Sequence, residues 1–245
     1  MIAEKLLLYA ERDGERAAAL AEHLHIPVST QAPAAGTLFL RLGENGLSLE
    51  RDGLVIRGDF GAMLPRLKTN NLGGELLVRA AKGKSGETGT AVDATAGLGE
   101  DSFLLAAAGF SVRLYERDPV ICALLADALD RAAREEALAG IVARMTLCEE
   151  DSVTALPALG FAPDVIYLDP MFPERQKSAL VKKKFQLLHF LEPPCDDGEA
   201  LLAAALAAKP RKIIVKRPLK AEFLAGVKPS HTLSGKAIRY DVIVR

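Results

Sequence analysis

The stretch from Ala91 to Asp118 constrains the fold of this chain more than any other, because it reads as one strand–turn–helix–strand unit. An apolar strand ends at Asp93, a turn with two glycines follows, and a helix is predicted from Glu100 to Gly109. A second strand, from Val112 to Tyr115, ends directly before Glu116. This order of elements is typical of the first half of a nucleotide-binding α/β domain.

The glycines and acidic residues of this unit lie where such a domain binds its ligand. Gly97 and Gly99 have no Cβ, so the turn can be tight and a ligand can come close to the backbone. Glu116 follows about twenty residues later, at a strand tip where an acidic group can accept hydrogen bonds from both hydroxyls of a ribose. The alternative is an αβ crossover whose glycine turn is purely structural.

The spacing of the turn is Asp-x-x-x-Gly-x-Gly, which differs from the G-x-G-x-x-G of a dinucleotide-binding protein. This difference favours a ligand without a pyrophosphate, and S-adenosylmethionine fits because it carries an amino-acid end, a sulfonium and a ribose. We expect Asp93 to face its ammonium or sulfonium charge.

Composition and charge exclude several other classes of protein. The chain has 245 residues, enough for one large α/β domain and a small appendage. The net charge of -1 gives no global basic field, so a nucleic-acid partner would need local positive charge. The three cysteines share no metal or redox spacing, and we predict neither a signal peptide nor a membrane span. A reduced cytoplasmic location is therefore expected.

Residues 1–60 are predicted to form a small N-terminal α+β subdomain. A strand is expected at Leu6–Tyr9 and a helix at Gly14–His23. Alternating leucines then flank Asn45-Gly46 and Asp52-Gly53, which are strong hairpin signals, so we predict a small antiparallel meander. Residues 61–88 are interpreted as a connector that includes a covering helix.

Residues 89–245 alternate strand and helix patterns regularly. Asp118-Pro119 predicts an N-cap followed by a proline at the first helical position. Further strands are predicted at Arg144–Cys148, Val165–Leu168, Lys212–Val215 and Ile238–Val244. The pattern predicts an α/β, Rossmann-like methyltransferase fold, with a mostly parallel seven-stranded sheet and a C-terminal antiparallel hairpin.

The second informative site begins at Asp169, directly after the fourth strand of this domain. Ligands of open α/β sheets lie outside the carboxyl ends of the strands, where Asp169 is predicted to be. A carboxylate and the Pro170 carbonyl could accept the two hydrogens of an exocyclic amine, while Phe172 stacks on the base. The alternative is a structural Asp-Pro turn followed by a core phenylalanine.

Together these motifs resemble a known family. The run YLDPMFP resembles the Asn/Asp-Pro-Pro-aromatic signature of amino-group methyltransferases, with Met171 in place of the second proline. With DATAGLG-x-D, Leu-x-Glu-Arg-x-Pro-Val and KSALVKK, it resembles the bacterial small-subunit ribosomal RNA guanine-N2 methyltransferase family, member J. The resemblance is strong from Val92 to Leu188.

This resemblance implies methyl transfer from S-adenosylmethionine to the N2 of a guanosine in 16S ribosomal RNA, with S-adenosylhomocysteine as product. It implies the following cofactor contacts: Glu100, Asp101, Glu116, Arg117, Asp151, Ser152 and Asp169. Glu100 stands where a basic residue is expected in this family. We expect Asp151 to accept from the adenine amino group and Ser152 to cap the next helix. Neither a metal, a membrane nor an obligate protein partner is implied.

Basic residues around the predicted base pocket are candidates for contacts to RNA phosphates. They are Lys177, Lys182, Lys183, Lys184, Lys216 and Arg217. A solvated run of charge is the alternative interpretation of the lysines that follow Asp169.

Two other functions compete with a ribosomal RNA methyltransferase. A nucleotide- or NAD-dependent oxidoreductase is disfavoured by the missing third glycine and by the Asp-Pro loop, which has no role in hydride transfer. A non-catalytic RNA-binding assembly factor with the same fold would not need Asp169 for its function.

Overall fold

A computed structural model of the protein describes residues 6–11, 14–83, 86–170, 187 and 197–245. Its N-terminal region forms a five-stranded sheet and one helix, α1 (Glu15–Leu24). The strands are β1 (Leu7–Ala10), β2 (Val28–Ser29), β3 (Phe39–Gly43), β4 (Gly46–Arg51) and β5 (Leu54–Ile56).

The order of this sheet is β2-β1-β3-β4-β5. The β3–β4–β5 part is the antiparallel meander that the sequence predicts. The sequence patterns left the pairing of β1 open, and in the structure β1 pairs in parallel with both β2 and β3. The helix α1 makes this possible, since it carries the chain back to the start of a parallel neighbour.

The remaining helices of the described residues surround a second sheet. They are α2 (Leu64–Leu67), α3 (Thr69–Leu72), α4 (Leu76–Lys82), α5 (Glu100–Ala107), α6 (Pro119–Ala132), α7 (Glu136–Val142), α8 (Ser152–Ala155) and α9 (Gly198–Ala207). The predicted cap of α6 is confirmed, because the Asp118 carboxylate accepts from the N–H groups of Val120 and Ile121. None of the described helices is long and apolar enough to cross a membrane.

The second sheet has seven strands and carries the candidate site. The strands are β6 (Thr90–Asp93), β7 (Ser111–Glu116), β8 (Met145–Glu149), β9 (Val165–Leu168), β10 (Lys212–Pro218), β11 (His231–Ser234) and β12 (Ile238–Val244). Their order is β11-β12-β10-β9-β6-β7-β8. All neighbours are parallel except at β12, which runs antiparallel to β10 and β11. The predicted fold class is confirmed.

The strand order places a ligand crevice at one edge of this sheet. The chain runs outward from β6 through β7 to β8, and then returns to β9 on the other side of β6. This reversal between β6 and β9 is the switch point at which open α/β sheets bind ligands, outside the carboxyl ends of the strands. Asp93 ends β6, and Asp169 follows β9 directly.

The N-terminal sheet packs on the main domain through α6. Leucines of β1, β3 and β4 share one buried cluster with Val120, Ile121 and Leu124. The buried carboxylate of Asp127, on the same helix, accepts from Arg16 of α1 at 2.5 Å and from Arg131 at 2.8 Å. The helix α4 lies where the covering helix is predicted. The domain boundaries after residues 60 and 88 remain predictions.

Candidate active site

The turn after β6 is organised by Asp93, which is only 1% exposed. Its Oδ1 accepts from the Thr95 N–H at 3.0 Å, and its Oδ2 accepts from the Ser102 hydroxyl at 2.6 Å. Burial raises the pKa of Asp93 to about 7, although these two hydrogen bonds oppose the rise. Asp93 therefore fastens the turn to the first turn of α5, and its contact with a cofactor charge remains a prediction.

Glu116 and the glycine turn are joined directly. The Gly97 N–H donates to Oε2 of Glu116 at 2.9 Å, and the Asp118 N–H donates to Oε1 at 2.9 Å. The two segments that the sequence assigns to cofactor binding therefore meet at the same edge of the sheet. Both amides fix the Glu116 carboxylate at the tip of β7, where a ribose is expected.

Glycine occupies the two positions of the turn for different structural reasons. Gly97 has a φ of 54°, and no atom lies within 4 Å of the position that a Cβ would occupy. This open side suits the close approach of a ligand. Gly99 has a φ of 77°, and its Cβ would lie 2.7 Å from Cδ1 of Leu125. Gly99 is thus required by the packing of α5 and α6 as well as by its backbone conformation.

Asp169 lies at the centre of a polar network that the sequence does not reveal. Its N–H donates to the Thr95 hydroxyl at 2.7 Å, which ties the end of β9 to the turn after β6. Its Oδ2 accepts from Nζ of Lys216 at 2.8 Å. The same ammonium donates to Oδ2 of Asp101 at 2.8 Å, and that oxygen also accepts from the Tyr167 hydroxyl at 2.6 Å. Residues from the turn after β6, from α5, from β9 and from β10 therefore converge on one point.

The charges of this network stabilise one another. Burial raises the pKa of Asp101, but the attraction of Lys216 and its hydrogen bond outweigh burial, so the net pKa is lowered. Burial lowers the pKa of Lys216, but the attraction of Asp101 and Asp169 outweighs it, so the net pKa is raised. At neutral pH Asp101 is ionised and Lys216 is protonated.

The two residues of β10 that the sequence assigns to RNA have internal partners instead. The Lys216 ammonium contacts two carboxylates of the site. Arg217 is only 6% exposed, and its guanidinium donates to the Glu222 carbonyl at 2.9 Å. Successive strand residues point to opposite faces, so one faces the site and the other the C-terminal hairpin. These internal partners occupy both side chains, and a contact of either residue with RNA remains a prediction.

The remaining predicted cofactor residues lie along the same edge. Glu100 is exposed at the start of α5, and Arg117 is exposed with a nitrogen 3.4 Å from Asp197. Asp151 follows β8 and accepts from the Val153 N–H at 2.8 Å, so Asp151 is the N-cap of α8. The prediction that Ser152 is the cap is wrong, because Ser152 is the first helical residue. The roles of Asp151 and Ser152 in cofactor binding remain predictions.

Several predicted residues lie outside the described part of the chain. They are Phe172, Lys177, Lys182, Lys183 and Lys184. Pro170 is described and is buried. Within the described ranges, no group of three or more His, Cys, Asp or Glu side chains could hold a metal ion. The expectation of a metal-free site remains a prediction.

Comparison with known proteins gives the family. Residues 21–245 match the family model described as "Putative SAM-dependent methyltransferase", where SAM is S-adenosylmethionine. Proteins named Ribosomal RNA small subunit methyltransferase J are 48% identical in Thioalkalivibrio sulfidiphilus, over 96% of both chains, and 43% identical in Pseudomonas aeruginosa, over 93% of this chain and 89% of the relative.

A crystal structure of a SAM-dependent methyltransferase from Neisseria gonorrhoeae has the same fold. Its TM-score is 0.77 at 30% identity, and the match covers 98% of this chain and 95% of that one. The fold, the site and these relatives agree: the chain belongs to the family of SAM-dependent methyltransferases that includes Ribosomal RNA small subunit methyltransferase J.

Proposed function

We propose that the protein transfers the methyl group of SAM to the exocyclic N2 amine of a guanosine in 16S ribosomal RNA of the small subunit. The family and the names of the relatives support methyl transfer to ribosomal RNA. The observation that carries the proposal is the placement of Asp169. Its carboxylate is partly exposed at the switch point and accepts from Lys216, while its backbone N–H donates to the Thr95 hydroxyl.

The residues around the glycine turn fit SAM. Glu116 would accept hydrogen bonds from the ribose hydroxyls, because its carboxylate is fixed at the tip of β7. Asp151 would accept from the adenine amino group, and the open side of Gly97 leaves room for the cofactor. Bound SAM supplies a methyl group that its sulfonium already activates. The product is S-adenosylhomocysteine, and the proposed reaction needs no metal.

Asp169 would prepare the amine for attack. The lone pair of a guanine N2 is conjugated with the ring, so the nitrogen is a poor nucleophile. The Asp169 carboxylate and the Pro170 carbonyl would each accept one of its hydrogens, which holds the amine in place and favours a pyramidal nitrogen. As the N–C bond forms, the C–S bond breaks and its electron pair stays on sulfur. The nitrogen then loses one proton to the Asp169 carboxylate, and from there the proton passes to water.

Lys216 would keep Asp169 in position during this step. Its ammonium bonds both Asp169 and Asp101, so the Asp169 side chain is held towards α5. A protonated arylamine nitrogen is a strong acid, so a carboxylate stabilised by a nearby ammonium can still accept its proton.

Labelled methyl transfer tests the proposal. Unmethylated small subunits and free 16S RNA are incubated with labelled SAM, and the nucleosides are then analysed. We expect label in N2-methylguanosine, and we expect Asp169→Asn to lower the rate by roughly 100- to 1000-fold. RNA binding should be retained in this variant, and S-adenosylhomocysteine should stabilise the wild-type protein. Label in another nucleoside, or none with the wild-type protein, would refute the proposal.

The same assays separate the other candidate functions. An oxidoreductase would be stabilised by NAD and not by S-adenosylhomocysteine, and a non-catalytic assembly factor would keep its function in Asp169→Asn. The proposal further places the protein in the cytoplasm without an obligate protein partner. It also divides the chain into an N-terminal subdomain (1–60), a connector (61–88) and a methyltransferase domain (89–245).

A further inference from the structure

We propose that the surface formed by residues 219–239 docks the RNA substrate, and that an unstacked base of that RNA stacks on the outer face of Phe223. We call this region the 219–239 surface. The inference rests on the proposed function, since it names the part of the molecule that would hold the RNA beside the candidate site.

The 219–239 surface borders the candidate site. β10 runs parallel to β9 with Val215 opposite Leu168, so both strands end at the same edge of the sheet. Lys216 already contacts Asp169, and the chain continues beyond that edge after Pro218. It returns at Ile238, which lies opposite Pro218 in the β10–β12 ladder. RNA with a base at Asp169 would therefore have this surface beside it.

The surface is unusually apolar for an exposed region. Eight large apolar side chains of the described residues are exposed, and three of them fall within nine residues. These are Leu219 at 39%, Phe223 at 39% and Val227 at 38%. Phe223 lines an open cleft of about 590 Å³ together with Ala221, Glu222, Gly226, Thr232 and Arg239. Exposed apolar groups that cluster next to a site indicate a binding surface.

The ring of Phe223 is held in place from one side. The Arg239 guanidinium carbon lies 5.3 Å from the centroid of the ring. Arg239 is itself buried and held by hydrogen bonds. Its Nε donates to Asp241 at 3.0 Å, and its Nη1 donates to the Leu219 carbonyl at 2.6 Å. A fixed ring loses little freedom when a second planar group stacks on it, and proteins that bind single-stranded RNA use such rings for bases.

The positive charge of the 219–239 surface favours RNA over a protein as its binding partner. Lys220, Lys228 and Lys236 are exposed within the 219–239 surface, and Glu222 is the exposed acidic residue of the same stretch. These four residues sum to +2, on a chain whose net charge is -1. Aromatic and basic side chains on one surface match the bases and phosphates of single-stranded RNA.

The chain offers a matched control for Phe223. Phe161 is exposed to 37%, and the Arg113 guanidinium carbon lies 5.2 Å from its ring. It precedes β9, at the edge of the sheet opposite Asp169. We expect Phe223→Ala to weaken the binding of unmethylated 16S RNA by roughly 5- to 150-fold, the range for one lost base–aromatic stack. Phe161→Ala should change it by less than about threefold.

A second variant tests the charge. Replacing Lys220, Lys228 and Lys236 together with glutamine should make the slope of log affinity against log salt less steep by about two. Each phosphate contact to a single strand contributes about 0.7 to the steepness of this slope. Neither set of substitutions should change stabilisation by S-adenosylhomocysteine, which reports on folding and on the cofactor site.

Three outcomes would overturn the inference. The first is that Phe223→Ala and Phe161→Ala bind RNA with equal affinity, and the second is that the triple lysine variant keeps the salt slope of the wild-type protein. The third is that Phe223→Ala loses binding to assembled small subunits but not to free RNA. The last outcome would assign the surface to a ribosomal protein. If the wild-type protein methylates RNA and Phe223→Ala matches Phe161→Ala, only the docking surface fails. If the wild-type protein methylates no RNA, the proposed function fails.

Discussion

Replacing Lys216 with methionine removes the ammonium between two carboxylates and leaves a side chain of similar length. Nζ lies 2.8 Å from an oxygen of Asp101 and 2.8 Å from one of Asp169, so these two oxygens are at most about twice that distance apart. At an effective dielectric constant of about 20, two negative charges at this separation repel by about 3 kcal/mol. Because Asp169 is partly exposed, solvent screens this repulsion, and about 3 kcal/mol is the upper end of its contribution.

The destabilisation of Lys216→Met should depend on pH. In the wild-type protein burial raises the pKa of Asp101, but the attraction of Lys216 outweighs burial and holds the pKa low. Without Lys216 the pKa rises, so the folded state binds a proton that the unfolded state does not bind. Stability is then lost as pH rises through the new pKa. We expect a loss of up to about 3 kcal/mol in the free energy of unfolding at pH 8, and a smaller loss towards pH 5.

Urea unfolding at several pH values measures this difference, and Lys212→Met is the control. Lys212 lies on the same strand, but its ammonium donates to the carbonyls of Ala80 at 3.2 Å and Ala81 at 2.9 Å. Its replacement should cost stability without a marked dependence on pH between 5 and 8. If the losses of the two variants show the same dependence on pH, Lys216 does not couple the two carboxylates and the reasoning fails.

Further variants test other parts of the structure by urea unfolding. Gly99→Ala should lower the free energy of unfolding by roughly 2–5 kcal/mol, because strain from its positive φ adds to overpacking against Leu125. Gly97→Ala should lower it by only about 1–2 kcal/mol, since backbone strain is its only cost. Equal losses in the two variants would contradict this packing. Burial raises the pKa of Asp93 to about 7, so the folded state keeps a proton that the unfolded state has lost between about pH 4 and pH 7. Wild-type stability should therefore fall across this range by up to ~1.4 kcal/mol per pH unit and level off above pH 7, and Asp93→Asn should remove that decline. Asp127→Ala should destabilise the protein by about 1–3 kcal/mol and make the N-terminal sheet more sensitive to protease, because it removes the buried carboxylate that bonds Arg16 of α1 and Arg131 of α6. Unchanged protection would refute this role.

Local patterns predict the strands and caps of this protein well. The bounds of β9 and β12 agree with the predicted Val165–Leu168 and Ile238–Val244. β9 is an apolar run between two aspartates, and β12 follows a glycine turn and is rich in β-branched and aromatic residues. Asp118-Pro119 likewise determines the start of α6 from adjacent residues alone. At α8 the local signal is ambiguous, since Asp151 and Ser152 are both good capping residues and only the backbone decides which one lies outside the helix.

The polar network of the site could not be predicted in the same way. Lys216 contacts residues 47 and 115 positions earlier in the chain, and Thr95 contacts the residue 74 positions later. A lysine in an apolar strand beside that of Asp169 is a weak signal, because the sequence does not say which charge lies across the sheet. The parallel pairing of β1 was missed for a related reason, since the return path of α1 is decided by packing and not by the hairpin signals nearby.

The Lys216 contacts also set the order in which the site can form. During synthesis from the amino end, Asp101 and Asp169 are both made before Lys216, so a growing chain that stops short of β10 holds two acidic groups with no cation between them. Pairings between segments so distant in sequence are slow to form. The acceptor geometry at Asp169 is therefore completed only after the strand that carries Lys216 has docked, and a nascent chain ending before residue 216 would have its strands β6 to β9 without a competent site.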